Sequence, residues 1–360
     1  MTPQENIPLA PYTTLGVGGP ARFFVEATDE ATILEAVRFA RSQSLPFFLL
    51  GGGSNLLVSD KGFPGVVIRI TSNRAPELHL EAKIAILEAE AGVPWDTVVH
   101  HAVEANCAGI ECLAGIPGSV GGTPVQNVGA YGQEVSTSIL RVHALDLETE
   151  TAVELTPQQC GFAYRRSIFN TTHAGRYAIT RVAYRLHRDQ PAALAYRDLK
   201  HFFAERDIPN PSLAETAAAV REIRARKGML LSPNDIDSRS AGSFFKNPIV
   251  PASIIPGLAA IADCHPDQVP KFPADNASIT PSTSPSSDPL VKLSAAWLIE
   301  LAGFHKGSTL GRTGISRKHV LAIVNRGGAT ALDIITLRDS IRDAVQTRTG
   351  IRLEQEPVML

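Results

Sequence analysis

The chain predicts an α+β fold of two or three domains, on three observations. Its 360 residues exceed what one hydrophobic core usually serves. Its composition, 44% hydrophobic and 19% charged, is that of a globular protein with real cores. Short apolar runs alternate with segments of helical period along most of its length. The net charge of −2 argues against a broad nucleic-acid surface. No apolar run approaches the ~20 residues that span a bilayer. The opening MTPQENIPLAPYTTLG lacks the basic start and apolar core of a secretory signal, so the expected compartment is the cytoplasm. Cys107, Cys112, Cys160 and Cys264 show no CxxC or Cys/His spacing. None reads as a zinc ligand or disulfide partner, and Cys107 and Cys112, near the central loop, read as small buried residues.

Residues 22–27 (RFFVEA) read as a strand. Thr28 is placed to cap a helix over 29–43, with Ile33, Leu34, Val37 and Ala40 on one face. Asp29 and Glu30 in its first turn and Arg38 and Arg41 near its end suit the helix dipole. PFFLL, residues 46–50, completes a βαβ unit with an expected right-handed crossover. Residues 65–70 and 83–91 read as strands, and Pro94 opens a helix to about Asn106. Strands are expected over 139–147, 151–155 and 176–187, with a short helix at 156–160. Residues 189–212 form a polar excursion holding Tyr196. Further helices are expected over 213–227, 292–302 and 331–349, the last closed by Gly350. AGSFFKNP (241–248) and residues 351–353 read as strands. TPSTSPSSDP, residues 280–289, reads as a mobile surface loop.

Two glycine-rich turns organise the chain. Residues 114–132, AGIPGSVGGTPVQNVGAYG, are too dense in Gly and Pro for helix or strand, yet they lie between patterned segments. They predict a long ordered turn, whose successive N–H groups suit a phosphate or pyrophosphate oxygen. Gly51, Gly52, Gly53, Ser54 and Asn55 form the second turn, where backbone can pass closely around a ligand edge. An unliganded surface turn is the competing reading of each. GVGGPA, residues 16–21, fits the G-x-G-x-x-A dinucleotide fingerprint. A strand comes after it rather than before it, and Pro20 interrupts it, so that reading is rejected.

Three polar candidates stand out: Arg165 in YRRS, Ser243 in AGSFFKNP and Glu356 in LEQEP. An arginine fork can hold a carboxylate by two hydrogen bonds, and a hydroxyl in apolar surroundings can donate a proton. Surface arginines, structural serines and solvated terminal glutamates are the commoner cases. Residue by residue, no reaction emerges.

Together, eight stretches in order resemble the family of UDP-N-acetylenolpyruvoylglucosamine reductases. They are TLGVGGPA (14–21), LLGGGSNLLVSD (49–60), the central loop (114–132), YRRSIF (164–169), AGSFFKNP (241–248), VKLSAAWLIE (291–300), KGSTLGRTGISRKHVLAIVN (306–325) and LEQEP (353–357). Tyr196 in LAYRDL points to the longer branch, which has a tyrosine lid. The resemblance implies an α+β fold: an FAD-binding module of the vanillyl-alcohol oxidase type in two subdomains plus a C-terminal α+β substrate-binding domain. The subdomains would be 1–72, with 351–360 returning to the site, and 73–230 with the 189–212 excursion; the substrate-binding domain would be 231–350. It implies non-covalent FAD, because the 51–55 turn holds neither His nor Cys, and NADPH as co-substrate. The implied reaction reduces UDP-N-acetylglucosamine enolpyruvate to UDP-N-acetylmuramate in peptidoglycan precursor synthesis. Hydride passes from NADPH to flavin N5 and on to C3 of the enolpyruvyl ether, and C2 is protonated.

By matching position, the resemblance makes Arg165 the group that binds the substrate carboxylate and its developing charge. Glu356 acts with it, and Ser243 is the general acid at C2. FAD contacts fall on Gly51, Gly52, Gly53, Ser54 and Asn55, and on Gly115, Pro117, Gly118, Ser119, Gly121, Gly122, Asn127, Gly129 and Ala130. Tyr131, Asn247 and the lid residue Tyr196 match substrate contacts. Arg224 and Lys227 fall where the family grips the UDP diphosphate, although Gly228-Met229 replaces the usual Pro-containing turn. Lys306 matches a residue that aids NADPH, and His319 one that contacts the nucleotide. No metal, nucleic acid or membrane partner is implied, and no spare apolar face suggests more than a monomer. Two other readings are a different flavin oxidoreductase on the same module, such as a sugar oxidase, and a flavin-free UDP-sugar or nucleotide-binding protein. An oxidase needs no proton donor at C2, so Ser243 and Glu356 in their motifs speak against the first. The three catalytic candidates together speak against the second.

Overall fold

A computed structural model describes residues 1–192, 194–273 and 288–360. The chain divides into two compact units. The first comprises Met1–Tyr12, Pro20–Gly53 and Gly62–Leu231, and the second Thr13–Gly19, Ser54–Lys61 and Ser232–Leu360.

Among the described residues the first unit holds two larger sheets and a small hairpin. One is built from β1 (Gln4–Pro8), β2 (Pro20–Ala27), β3 (Phe47–Leu50) and β4 (Phe63–Ile70), in the order β1-β2-β4-β3. β2 and β3 both run parallel to β4, which lies between them, so the expected βαβ unit is opened by a third strand. Helix α1 (Glu30–Ser42) buries Ile33, Ala36, Val37 and Ala40 against Val25, Val66 and Ile68. Its cap is Asp29 rather than Thr28. The Asp29 carboxylate accepts the Thr32 amide at 2.7 Å, and a charged acceptor at a helix start outperforms a hydroxyl.

The second sheet is antiparallel: β5 (Glu77–Leu80), β6 (Ile84–Glu90), β7 (Ile139–Asp146), β8 (Thr151–Leu155) and β9 (Tyr177–Arg188), in the order β8-β7-β9-β6-β5. Helix α2 (Trp95–Glu104) packs Trp95, Val98, Val99 and Ala102 into the core beside this sheet. The 189–212 excursion carries a helix of its own, α3 (Arg197–Ala204), which buries Leu199, Phe202 and Phe203. Helix α4 (Leu213–Arg226) starts at a capping box between Ser212 and Glu215.

The second unit packs around helices α5 (Ile255–Ile261), α6 (Ala295–Leu301) and α7 (Ala331–Thr349). α7 buries Ile334, Leu337, Ile341 and Val345 on one stripe. Thr330 and Asp333 box its start, and Gly350 closes it at φ +74°. Three expectations change here. The 292–302 helix begins only at Ala295, because Leu290–Leu293 is a strand and Ser294 caps the helix. AGSFFKNP is irregular with one bridge, Phe245 to Gln355; Gly242 sits at φ +72° and Pro248 has no N–H to continue a ladder. Residues 351–353 pair in no strand; the C-terminal strand is Val358–Met359, parallel to Leu56–Leu57. Residues 280–287 of the expected mobile loop lie outside the described residues.

Candidate active site

In the first unit the two glycine-rich turns meet. A Cβ on Gly52 would lie 2.6 Å from the Gly118 Cα, and one on Gly51 would lie 2.7 Å from Ser119 Oγ. Only glycine allows that approach. Gly118 itself holds φ +135°, a conformation L side chains rarely adopt. The loop is pinned to the chain before α2. Trp95 N–H donates to Gly118 at 3.1 Å, Val120 N–H to Val93 at 2.9 Å and Gly121 N–H to Ala91 at 2.9 Å. Gly122 N–H donates to Ser119 O at 2.9 Å, so the N–H groups of Val120, Gly121 and Gly122 all serve the fold, which narrows the expected anion nest. Beside the cradle opens a cleft lined by Leu49, Ile70, Val125 and Ile179 together with Gly51, Ser119, Gly121 and Gly122. A Cβ on Gly122 would meet nothing within 4 Å. A lining of glycines and one serine beside apolar side chains fits a flavin dinucleotide, whose pyrophosphate needs close backbone and whose ring system needs apolar contact.

Further along, the loop becomes a hairpin. Gly129–Ala130 pairs with Gln133–Glu134, leaving Tyr131 and Gly132 as a two-residue turn at φ +49° and +84°. Positive φ at both positions is the type I′ geometry, and a tyrosine held there marks a conformation imposed by its surroundings. The Asn127 side chain is committed to the fold: its amide donates to Glu134 and Ala163, and its oxygen accepts the Ser136 N–H. Pro117 and Gly115 precede the cradle. The Gly115 amide donates to Asp96 at 2.8 Å, and its carbonyl accepts from Arg224 at 3.1 Å.

Arg165 sits in a tight turn, at φ +56°, between Ala163 and Arg166, which exchange both backbone bonds at 3.0 Å. Its guanidinium donates to Gly129 O at 2.8 Å and to Asn127 O at 3.4 Å and lies over the Tyr164 ring. Those carbonyls aim it from the same loop that forms the cradle.

The cations at the end of α4 differ in availability. Arg224 is buried, and it donates to the carbonyls of Gly115 and Met229, so it braces the loop; burial pulls its pKa down. Lys227 is 5.8 Å from the Tyr131 ring centroid and donates to Asp198 of α3 at 2.6 Å. Burial is the largest influence and would lower the Lys227 pKa, but the Asp198 bond and the charge interactions with Asp198, Tyr131 and Tyr196 together outweigh it, and the net shift is upward. Tyr131 is buried, which raises its pKa despite Arg224 and Lys227 nearby. The Tyr196 ring stands edge-on to Tyr131, 5.4 Å away. Asp198 and Asp96 carried no motif of their own; the one signal was that Asp198 lies two residues after Tyr196.

In the second unit, the Phe245–Gln355 bridge joins the segment that carries Ser243 to the one that carries Glu356. Glu356 N–H donates to Phe244 O and Lys246 N–H to Glu354 O, both at 2.9 Å. The Asn55 side chain donates to Glu356 O at 3.2 Å, and Asn55 O accepts Val358 N–H at 2.9 Å. Ser54 O accepts from Thr14 at 3.3 Å. Asn247 Oδ1 accepts the Ala295 N–H at the start of α6. Lys306 is exposed in a turn, and His319 is half-buried with its N–H on Ser316 Oγ.

Comparison with known proteins agrees with this architecture. A family model described as "FAD binding domain" matches residues 21–156, and one described as "UDP-N-acetylenolpyruvoylglucosamine reductase, C-terminal domain" matches residues 234–360. The chain is 40% identical to the UDP-N-acetylenolpyruvoylglucosamine reductase of Thermobifida fusca (strain YX), over 99% of this chain and 97% of that one. It is 44% identical to the Nocardia farcinica (strain IFM 10152) protein of the same name, over 99% of this chain and 89% of that one. The crystal structure of the reductase from Thermus caldophilus aligns with a TM-score of 0.65 at 27% identity, covering 99% of each chain. An FAD-binding module followed by the reductase-specific C-terminal domain, with similarity along the full length, means that the chain belongs to the UDP-N-acetylenolpyruvoylglucosamine reductase family.

Proposed function

We propose that this protein reduces the enolpyruvyl group of UDP-N-acetylglucosamine enolpyruvate to the D-lactyl ether of UDP-N-acetylmuramate. It uses NADPH and acts as a cytoplasmic monomer in peptidoglycan precursor synthesis. Among the described residues no helix is long and apolar enough to cross a membrane. The observation that supports the reading is the Phe245–Gln355 bridge with the Glu356 N–H to Phe244 O bond, which joins the segment holding Ser243 to the segment holding Glu356. This chemistry needs a proton for C2 and a group to share charge with the substrate carboxylate.

Bound non-covalently, FAD would supply the redox chemistry between NADPH and the enolpyruvyl group. Gly51, Gly52, Gly53, Gly118, Ser119 and Gly122 would hold its pyrophosphate by backbone approach. Arg165, aimed by the Gly129 and Asn127 carbonyls, binds the substrate carboxylate and stabilises the charge that grows there. Glu356 shares that charge. Ser243 Oγ gives its proton to C2; a serine is a weak acid in water, so the accepting carbon must be strongly basic and the site dry. Tyr131, Tyr196 and Lys227 hold the UDP portion, with Arg224 bracing the loop beneath. Asn247 contacts substrate, Lys306 aids NADPH, and His319 contacts the nucleotide. Residues 1–72 and 73–230 act as the flavin subdomains, with 351–360 contributing Glu356, and 231–350 as the substrate-binding domain.

The test is an anaerobic stopped-flow trace in visible light, adding NADPH first and the enolpyruvyl substrate second. Bleaching and then return of colour supports the reading. A yellow protein that bleaches but recovers only with oxygen supports an oxidase, and a colourless protein that takes up no FAD defeats both.

A further inference from the structure

Lys227 already holds an anion. Its Nζ donates to Asp198 Oδ2 at 2.6 Å. The other cations on the last turns of α4 are held differently. Arg221 pairs with Asp96 of α2, Arg226 pairs with Glu222 one turn back, and Arg224 donates to the Gly115 and Met229 carbonyls. Those partners belong to the frame of the unit. Asp198 comes instead from the 189–212 excursion, which rests on the tyrosine hairpin: a Cβ on Gly132 would lie 3.0 Å from Ala195 Cβ, and Tyr196 stands against Tyr131. The Lys227 and Asp198 side chains are 31% and 40% exposed, so an anion arriving from solvent can reach them.

A carboxylate and a phosphate oxygen are interchangeable acceptors for one ammonium. We propose that Asp198 is an internal stand-in for the diphosphate of the nucleotide-sugar: it occupies Lys227 in the free enzyme and is displaced when the diphosphate binds. Asp198 thereby sets the apparent nucleotide affinity. The inference rests on reading Lys227 as a diphosphate ligand. Physically, the exchange keeps Lys227 paired in both states and never leaves a bare ammonium against the buried Tyr131. Its consequence is competition, because a tethered carboxylate is present at high effective concentration. A diphosphate wins because it brings more charge and more acceptor oxygens than one carboxylate.

The experiment titrates UDP into the FAD-loaded enzyme by calorimetry, for the wild type and for Asp198→Asn, Asp198→Ser, Asp198→Glu, Lys227→Met and the Asp198→Asn/Lys227→Met double variant. Removing the competitor should tighten UDP binding about fivefold in both Asp198→Asn and Asp198→Ser, the size expected of a part-exposed ion pair. Asp198→Glu should restore the wild-type value. Lys227→Met should weaken binding, and Asp198→Asn should then change nothing, because the carboxylate acts only through Lys227. Flavin absorbance confirms that each variant is folded. Weaker or unchanged UDP binding in Asp198→Asn and Asp198→Ser overturns the inference, as does UDP binding in Lys227→Met equal to wild type. Failure of the parent reading is distinct: the wild-type flavin would not recover its colour with the enolpyruvyl substrate.

Discussion

Glu356 donates its backbone N–H to the carbonyl of Phe244 at 2.9 Å, and that bond ties the last acid of the chain to the segment that carries Ser243. Phe244 and Phe245 on either side of the contact are almost fully buried, so the backbone there has little freedom. Asn55 holds the same residue from the other direction, through its carbonyl. The segments that carry Ser243 and Glu356 thus meet on a backbone fixed at several points, as a preorganised site requires.

Ser243→Ala tests the division of labour. Reduction of the bound flavin by NADPH should proceed at nearly the wild-type rate. Reoxidation by the enolpyruvyl substrate should slow by about 10²–10⁴-fold, the usual weight of a general acid. Single-turnover traces of the two half-reactions measure this, and equal loss in both would exclude the proton-donor role.

Two glycines separate packing from ligand contact. Gly52→Ala places a methyl 2.6 Å from the Gly118 backbone, where nothing flexible can yield. It should cost about 1–3 kcal/mol of stability and release the flavin. Gly122→Ala meets open space within the protein. Its flavin-free melting temperature should match the wild type while its FAD affinity falls about tenfold. Thermal melts with and without added FAD, together with a flavin titration, distinguish the two.

Acid stability should depend on Asp237. It is 1% exposed, accepts Arg317 N–H and Nε–H at 3.0 Å each, and pairs with Arg317 Nη2 at 2.9 Å. Burial pushes its pKa up, but the Arg317 bonds outweigh burial and hold it below the ordinary 3.8. A depressed carboxylate stabilises fully above its unfolded value and loses that contribution as pH falls through the folded one. Asp237→Asn should therefore melt several degrees lower at pH 7, and the gap should close as pH falls below the ordinary 3.8. Melting curves across that range decide it; a gap that does not change with pH would remove titration as the cause.

Thiol reactivity should track burial. Burial pushes Cys112 and Cys160 up to about 12 and raises Cys107, whereas Cys264 is only part-buried. At pH 8 Ellman's reagent should react with Cys264 in the native protein, and with the other three only as the chain unfolds. Cys264→Ser should abolish the fast phase.

Much of this molecule is written in local signals. Thr330, the stripe from Ile334 to Val345 and Gly350 bound α7 at the residues the sequence marks, and Ser212 with Glu215 starts α4, because caps and apolar period act within a few residues. The ordered motifs likewise marked Gly51–Gly53, the central loop, Arg165, Ser243 and Glu356. The contacts those residues make were decided by tertiary structure. AGSFFKNP reads as a strand by its apolar centre, yet its ladder ends after one bridge because Gly242 and the distant 353–357 segment set its path. Arg224 and Lys227 look equivalent in sequence, but one turns inward onto Gly115 and Met229 while the other meets Asp198. The approach of Gly52 to Gly118, the Phe244–Glu356 bond and the Lys227–Asp198 pair all join parts of the chain that are far apart in sequence. No local preference encodes such contacts. They form only when packed elements hold the partners together and outweigh the entropy of closing the loops between them.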